Sequence, residues 1–154
     1  MDWYVMLLVF LAVTAALDLF VGVSNDAVNF LNSALGCRIA SFRTVLWTAS
    51  AGVMLGATFS SGMMEVARSG VFHPQMFSFA EIMVIFLAVM VADILLLDTF
   101  NSLGLPTSTT VSIVFELLGS AVAAALFKLT SEGADWTAVA EFINSSKALA
   151  IVSG

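Results

Sequence analysis

The sequence predicts an all-α membrane protein, a multi-span helical bundle with broken or re-entrant helices. Three observations carry that prediction. Hydrophobic residues make up 60% of the 154 positions and charged residues only 10%, against about 25% charged in a soluble domain. The mean hydropathy is +1.05. The apolar residues fall in runs near the roughly 20 that span a bilayer core, and two polar clusters interrupt them where backbone and hydroxyl groups need a reason to be.

Trp3 to Val23 is the first run, with Asp18 as its only charge. Asp2 stands where a signal peptide would carry a positive n-region, and the run is longer than an h-region, so it reads as a retained membrane helix. Thr44 to Met64 is a second, uncharged run. Its small residues Ala49, Ser50, Ala51, Gly52, Gly56 and Ala57 suit close helix packing in lipid. Ile82 to Leu105 is a third, carrying Asp93 and Asp98, and Val111 to Phe127 a shorter fourth, carrying Glu116. A fifth apolar run begins at Ala148 and meets the last residue, Gly154, so the chain reads as a piece cut inside or before a span. Between runs, Glu65 to Ala80 is a loop with His73-Pro74, and Thr130 to Lys147 mixes charge with Trp136, Val139 and Phe142, as a short interfacial amphipathic helix does. Arg38 and Arg43 favour a cytoplasmic first loop, while Lys128 and Lys147 pull the other way.

A net charge of −6 leaves no basic patch, which excludes nucleic acid as a partner. The single cysteine, Cys37, has no internal disulfide partner and reads as a packing residue. No His/Cys cluster predicts a metal site, and no organic cofactor is expected.

The most informative segment is Gly104-Leu105-Pro106-Thr107-Ser108-Thr109-Thr110-Val111. A helix start needs one hydroxyl cap behind a proline. Four hydroxyls in a row exceed that need, and with the free N–H groups of a helix N-terminus they form a donor set for an oxyanion. The second cluster is Gly22-Val23-Ser24-Asn25-Asp26-Ala27-Val28-Asn29. On a helix, Asn25, Asn29 and Ser33 share a face with Asp26 beside it. Those oxygens suit a hard cation such as sodium, or they merely cap a helix at the headgroup boundary; spacing alone does not choose.

These residues carry a family resemblance. Asn25-Asp26-Ala27-Val28-Asn29, followed by Gly36-Cys37-Arg38, resembles the Asn-Asp-x-Ala-Asn and Gly-Ser-Arg signature of the inorganic phosphate transporter (PiT) family, and Pro106-Thr107-Ser108-Thr109-Thr110 resembles its Pro-x-Ser-Thr-Thr motif. The resemblance implies that residues 1–154 are the N-terminal transmembrane repeat of a phosphate permease whose second, inverted repeat is absent. Each repeat would contribute an Asn-Asp helix break and a Ser-Thr-Thr hairpin to one central site. It implies phosphate bound by Thr107, Ser108, Thr109 and Thr110, a coupling cation bound by Asn25, Asp26 and Asn29, transport by alternating access, a bacterial inner-membrane location and a homodimer in lipid. Val111 stands where many members have histidine, which favours sodium over protons as the coupling ion. Val28 and Cys37 replace Ala and Ser as packing changes.

Asp93 and Glu116, well inside their runs, read as gating or polar packing groups; Asp18 and Asp98, nearer run ends, read as snorkelling or capping. Other readings are a sulfate permease, a non-transporting scaffold and an intramembrane hydrolase. The last has no Gly-x-Ser-x-Gly elbow, and Asp93 and Asp98, five residues apart, point in different directions on a helix.

Overall fold

The computed structural model describes residues 2–60, 70–105 and 107–153. Numbered in chain order, its α-helices are α1 (Trp3–Gly36), α2 (Phe42–Phe59), α3 (Phe79–Leu103), α4 (Thr109–Glu132), α5 (Val139–Phe142) and α6 (Ser145–Ser153), with 3₁₀ turns at Pro74–Met76 and Trp136–Ala138. Among the described residues the only β pairing is a single antiparallel bridge between Phe72 and Ile143. The chain is therefore an all-α protein, and α1, α3 and α4 are long and apolar enough to cross a membrane. Its surface supports that reading: Phe20, Trp47, Phe59 and Phe127 are each more than 70% exposed, an arrangement suited to lipid or to further helices rather than to water.

The expected runs become helices, with shifted ends. The third begins three residues early because Ser78 and Glu81 form a reciprocal capping box: the Ser78 hydroxyl accepts from Glu81 N–H, and Glu81 Oε2 accepts from Ser78 N–H at 2.6 Å. It ends where Gly104 adopts a left-handed conformation (φ 66°), with Leu105 N–H donating to the Phe100 carbonyl and Gly104 N–H to that of Asn101. The fourth runs to Glu132, capped by Gly133 in the same conformation. The polar segment after it folds as the Trp136–Ala138 turn and the short α5. Of the second run, 44–59 lies within the helix α2 and Ser61 to Met64 lie outside the described residues; so do Glu65 to Ser69 of the following loop.

One expectation is corrected. The Asn-Asp segment does not break the first helix: α1 continues through it for 34 residues, about 51 Å at 1.5 Å per residue. Polar side chains do not force a break, because the α-helix pairs its own backbone groups whatever the side chains carry, and no proline or glycine lies between Val23 and Leu35. Ser24 even returns its hydroxyl to the Phe20 carbonyl one turn back (2.7 Å).

Helix α1 lies along α3, and α3 along α4. Thr14 meets Met90 (3.5 Å), Asp18 meets Asp93, and a Cβ on Gly22 would stand 3.9 Å from Leu97. These contacts advance together along both helices, so α1 and α3 are parallel. Asp93 faces Glu116 and Glu81 faces Lys128, so the hairpin α3–α4 is antiparallel. The core fills the Lys128 end: Val71, Phe72, Phe77, Ile85 and Val89 pack on Val114, Leu117, Ala121, Ala125 and Leu129 of α4 and on Phe142. The Phe77 ring meets Phe72 and Phe142 edge-on, at 5.7 and 5.3 Å between centroids. Backbone bonds from His73 N–H to Phe142 carbonyl (2.8 Å) and Asn144 N–H to Val71 carbonyl (3.0 Å) tie the segment before α3 to the one after α4.

Candidate functional site

At the opposite end of the bundle the two polar clusters, some 80 residues apart in sequence, meet. The turn after Gly104 brings the start of α4 against the second half of α1. Asn25, 2% exposed, donates its side-chain amide to the Thr107 carbonyl at 3.0 Å, and Asn29, one turn further along α1, donates to the same oxygen at 3.0 Å. Both lone pairs of that carbonyl are thereby used. Beside it, the Thr109 hydroxyl donates to the Asp26 carboxylate, 3.2 Å from Oδ1 and 3.5 Å from Oδ2.

Ser108 is the N-cap of α4, its hydroxyl oxygen accepting from Val111 N–H at 3.4 Å. One of the four hydroxyls thus performs the ordinary capping task, although its own proton remains available to donate. Neither the Thr107 nor the Thr110 hydroxyl has a protein partner among the described residues. Asp26, Asn29, Thr107, Ser108, Thr109 and Thr110 together line an open cavity of about 420 Å³. A neighbouring one of about 440 Å³ is lined by Asn25, Asn29, Asn32, Asn101 and Gly104, among others. The first holds the N-terminal end of a 24-residue helix, where unpaired N–H groups and the helix dipole favour an anion, and it holds Asp26, which favours a cation. Oppositely charged ligands side by side offset each other's charge.

The matched family model, described as the phosphate transporter family, covers residues 22–154, including both clusters. The chain belongs to the phosphate transporter family. No curated protein and no solved structure matches it significantly. The matched stretch runs from Gly22 through α4 and beyond, so it takes in every residue named at this transporter's cavity.

The other acidic groups fall into two sets. Asp98 is exposed, five residues and a different helix face away from Asp93. Asp93 is buried (3% exposed) and contacts both Asp18 and Glu116. Asp18, expected to snorkel or cap near a span end, is instead close to the midpoint of α1, because that helix extends thirteen residues beyond Val23. The readable signal was the spacing of Thr14, Asp18, Gly22, Asn25 and Asn29, which places all five on one stripe of a single helix. Among the described residues, no three His, Cys, Asp or Glu side chains are arranged as a metal-ligand group.

Proposed function

We propose that this protein carries inorganic phosphate across the cell membrane in symport with a cation, sodium in preference to the proton, by alternating access. The observation that carries the reading is the hydrogen bond from Thr109 to Asp26, which joins the anion-favouring helix end to the cation-favouring carboxylate. In this reading Thr107, Ser108, Thr109 and Thr110 hold phosphate, and Asn25, Asp26 and Asn29 contribute to the cation site. A second, inverted repeat completes the open side of the cavity.

The bond also supplies a coupling rule. Thr109 has one hydroxyl proton to give. While Asp26 is without a cation its negative charge takes that proton, and the threonine presents only lone pairs to an incoming anion. A sodium ion on Asp26 satisfies the carboxylate, releases the hydroxyl to donate to phosphate and cancels the charge that repels it. Phosphate then binds well only after the cation, as symport requires. The two ligands help each other by the same factor, since coupling between sites is reciprocal.

The test is phosphate uptake by the full-length protein in proteoliposomes with and without a sodium gradient, beside Asp26→Asn and the pair Ser108→Ala, Thr109→Val. Sodium-driven uptake lost in both variants supports the assignment. Uptake driven by protons alone keeps the carrier and changes the ion. Hydroxyl and N–H donors discriminate tetrahedral oxyanions poorly, so sulfate is included as a competitor. Folded protein that moves neither anion under either gradient refutes the reading.

A further inference from the structure

Twelve ångströms or so along α1 from Asp26, eight residues at 1.5 Å each, the bundle holds a second polar centre that the phosphate reading does not use. Asp18 of α1, Asp93 of α3 and Glu116 of α4 meet there, with the Asp93 carboxyl between the other two and beside both. All three helices are long and apolar enough to span a membrane. Ionised carboxylates only accept hydrogen bonds. As acceptors, Asp18 Oδ1, Asp93 Oδ1 and both Glu116 oxygens are buried without any donor, and Asp93 is itself 97% buried, directed into the cluster.

No cation comes to their aid among the described residues. Thr14, one turn from Asp18, has committed its hydroxyl to the Phe10 and Leu11 carbonyls and Met90 sulfur. Lys128 on α4 is held by Glu81 and the Met76 carbonyl, about 18 Å along the helix from Glu116. Arg38 and Arg43 lie beyond the far end of α1, Lys147 is on α6 and His73 precedes α3, and none of them acts on Asp18, Asp93 or Glu116. Three adjacent negative charges in hydrocarbon, without donor or counter-charge, are not a stable arrangement. A carboxyl proton supplies the missing donor, and one proton between two carboxyl groups satisfies an oxygen on each.

We propose that Asp18, Asp93 and Glu116 form a buried proton-binding site, in which the three carboxyl groups bridge one another through shared protons, separate from the cavity at Asp26. Among the described residues the site is built from α1, α3 and α4, and it does not depend on which anion the protein carries.

Dicyclohexylcarbodiimide modifies protonated carboxyl groups in apolar surroundings and reads the site without a transport assay. The full-length protein in proteoliposomes is treated from about pH 6 to about pH 10, a range that brackets the titration of strongly perturbed carboxyl groups, and the modified peptides are located by mass spectrometry. Modification of Asp18, Asp93 or Glu116 that falls with rising pH, is unaffected by saturating sodium at fixed pH, and persists in Asp26→Asn is the expected result. Absence of modification at all three in folded protein overturns the proposal. So does modification suppressed by sodium at constant pH, which would make the cluster a sodium site. Because no substrate is present, this outcome is independent of whether phosphate uptake succeeds or fails.

Discussion

Removing the two asparagine amides that grip Thr107 tests whether α1 holds the head of α4 in place. Asn25 and Asn29 both donate to the Thr107 carbonyl at 3.0 Å. In Asn29→Ala, an exposed position, the carbonyl keeps the Asn25 bond, and the loss is that of one ordinary hydrogen bond, about 1 kcal/mol. Asn25→Ala costs the same bond plus a small packing loss at a buried site. The double variant leaves the carbonyl facing a protein wall with no donor, a penalty of up to about 3 kcal/mol. The two changes are therefore more than additive, with a coupling of about 1 kcal/mol. Amide hydrogen exchange at Val111 and Ser112, whose N–H groups donate to Ser108, reads the opening of that first turn by mass spectrometry. Each single variant should exchange about fivefold faster, and the double on the order of a hundredfold, where simple additivity gives about 25-fold. Strictly additive rates, or unchanged exchange in the double variant, would refute the shared-acceptor clamp.

Other outcomes follow from the same geometry. Thr109→Val, which keeps shape and removes the hydroxyl, should weaken phosphate binding about tenfold, as expected for a bond to a charged group, and should reduce the dependence of phosphate affinity on sodium to the part that charge cancellation at Asp26 supplies; Thr109→Ser should retain the full dependence, as read by phosphate binding at varied sodium. Glu81→Ala removes one half of the α3 capping box and the 3.4 Å contact with Lys128. It should cost about 1 kcal/mol, mostly from the cap because the ion pair is partly exposed, measured as a lowered thermal midpoint in detergent. Phe142→Ala empties a 5%-exposed site against Phe77 and should cost about 3 kcal/mol, with faster exchange at His73 and Asn144 as the local readout.

Much of this was legible in the sequence because the bilayer imposes its own period. Runs of the right length became α1, α3 and α4, and the excess of hydroxyls after Gly104 marked the turn that lines the cavity beside Asp26. The pairing of Asp26 with Thr109 could be expected only as a family property, since nothing in either cluster alone specifies a contact across 83 residues. The helix break at Asn25-Asp26 was misread for a physical reason: a polar side chain at membrane depth needs a partner, but that partner can be a neighbouring helix rather than an opened backbone. Asp18 was misjudged by the same step, since ending the first helix at Val23 put the residue near an edge. Its meeting with Asp93 depends on the parallel lie of α1 and α3, a tertiary fact that no local pattern encodes.

That parallel lie has a mechanical consequence. Asn25, Asp26 and Asn29 sit toward the end of α1 that runs beside the Gly104 end of α3, so the chain presents its amide clamp and its turn to the same side of the bundle. A shift of α1 along its axis by a single residue, about 1.5 Å, would draw the two amides away from the Thr107 carbonyl and the carboxylate away from the Thr109 hydroxyl in one stroke. Backbone grip and the carboxylate–hydroxyl contact thus share one slider. Any motion of α1 that parts Asp26 from Thr109 also frees the head of α4 from its two amides.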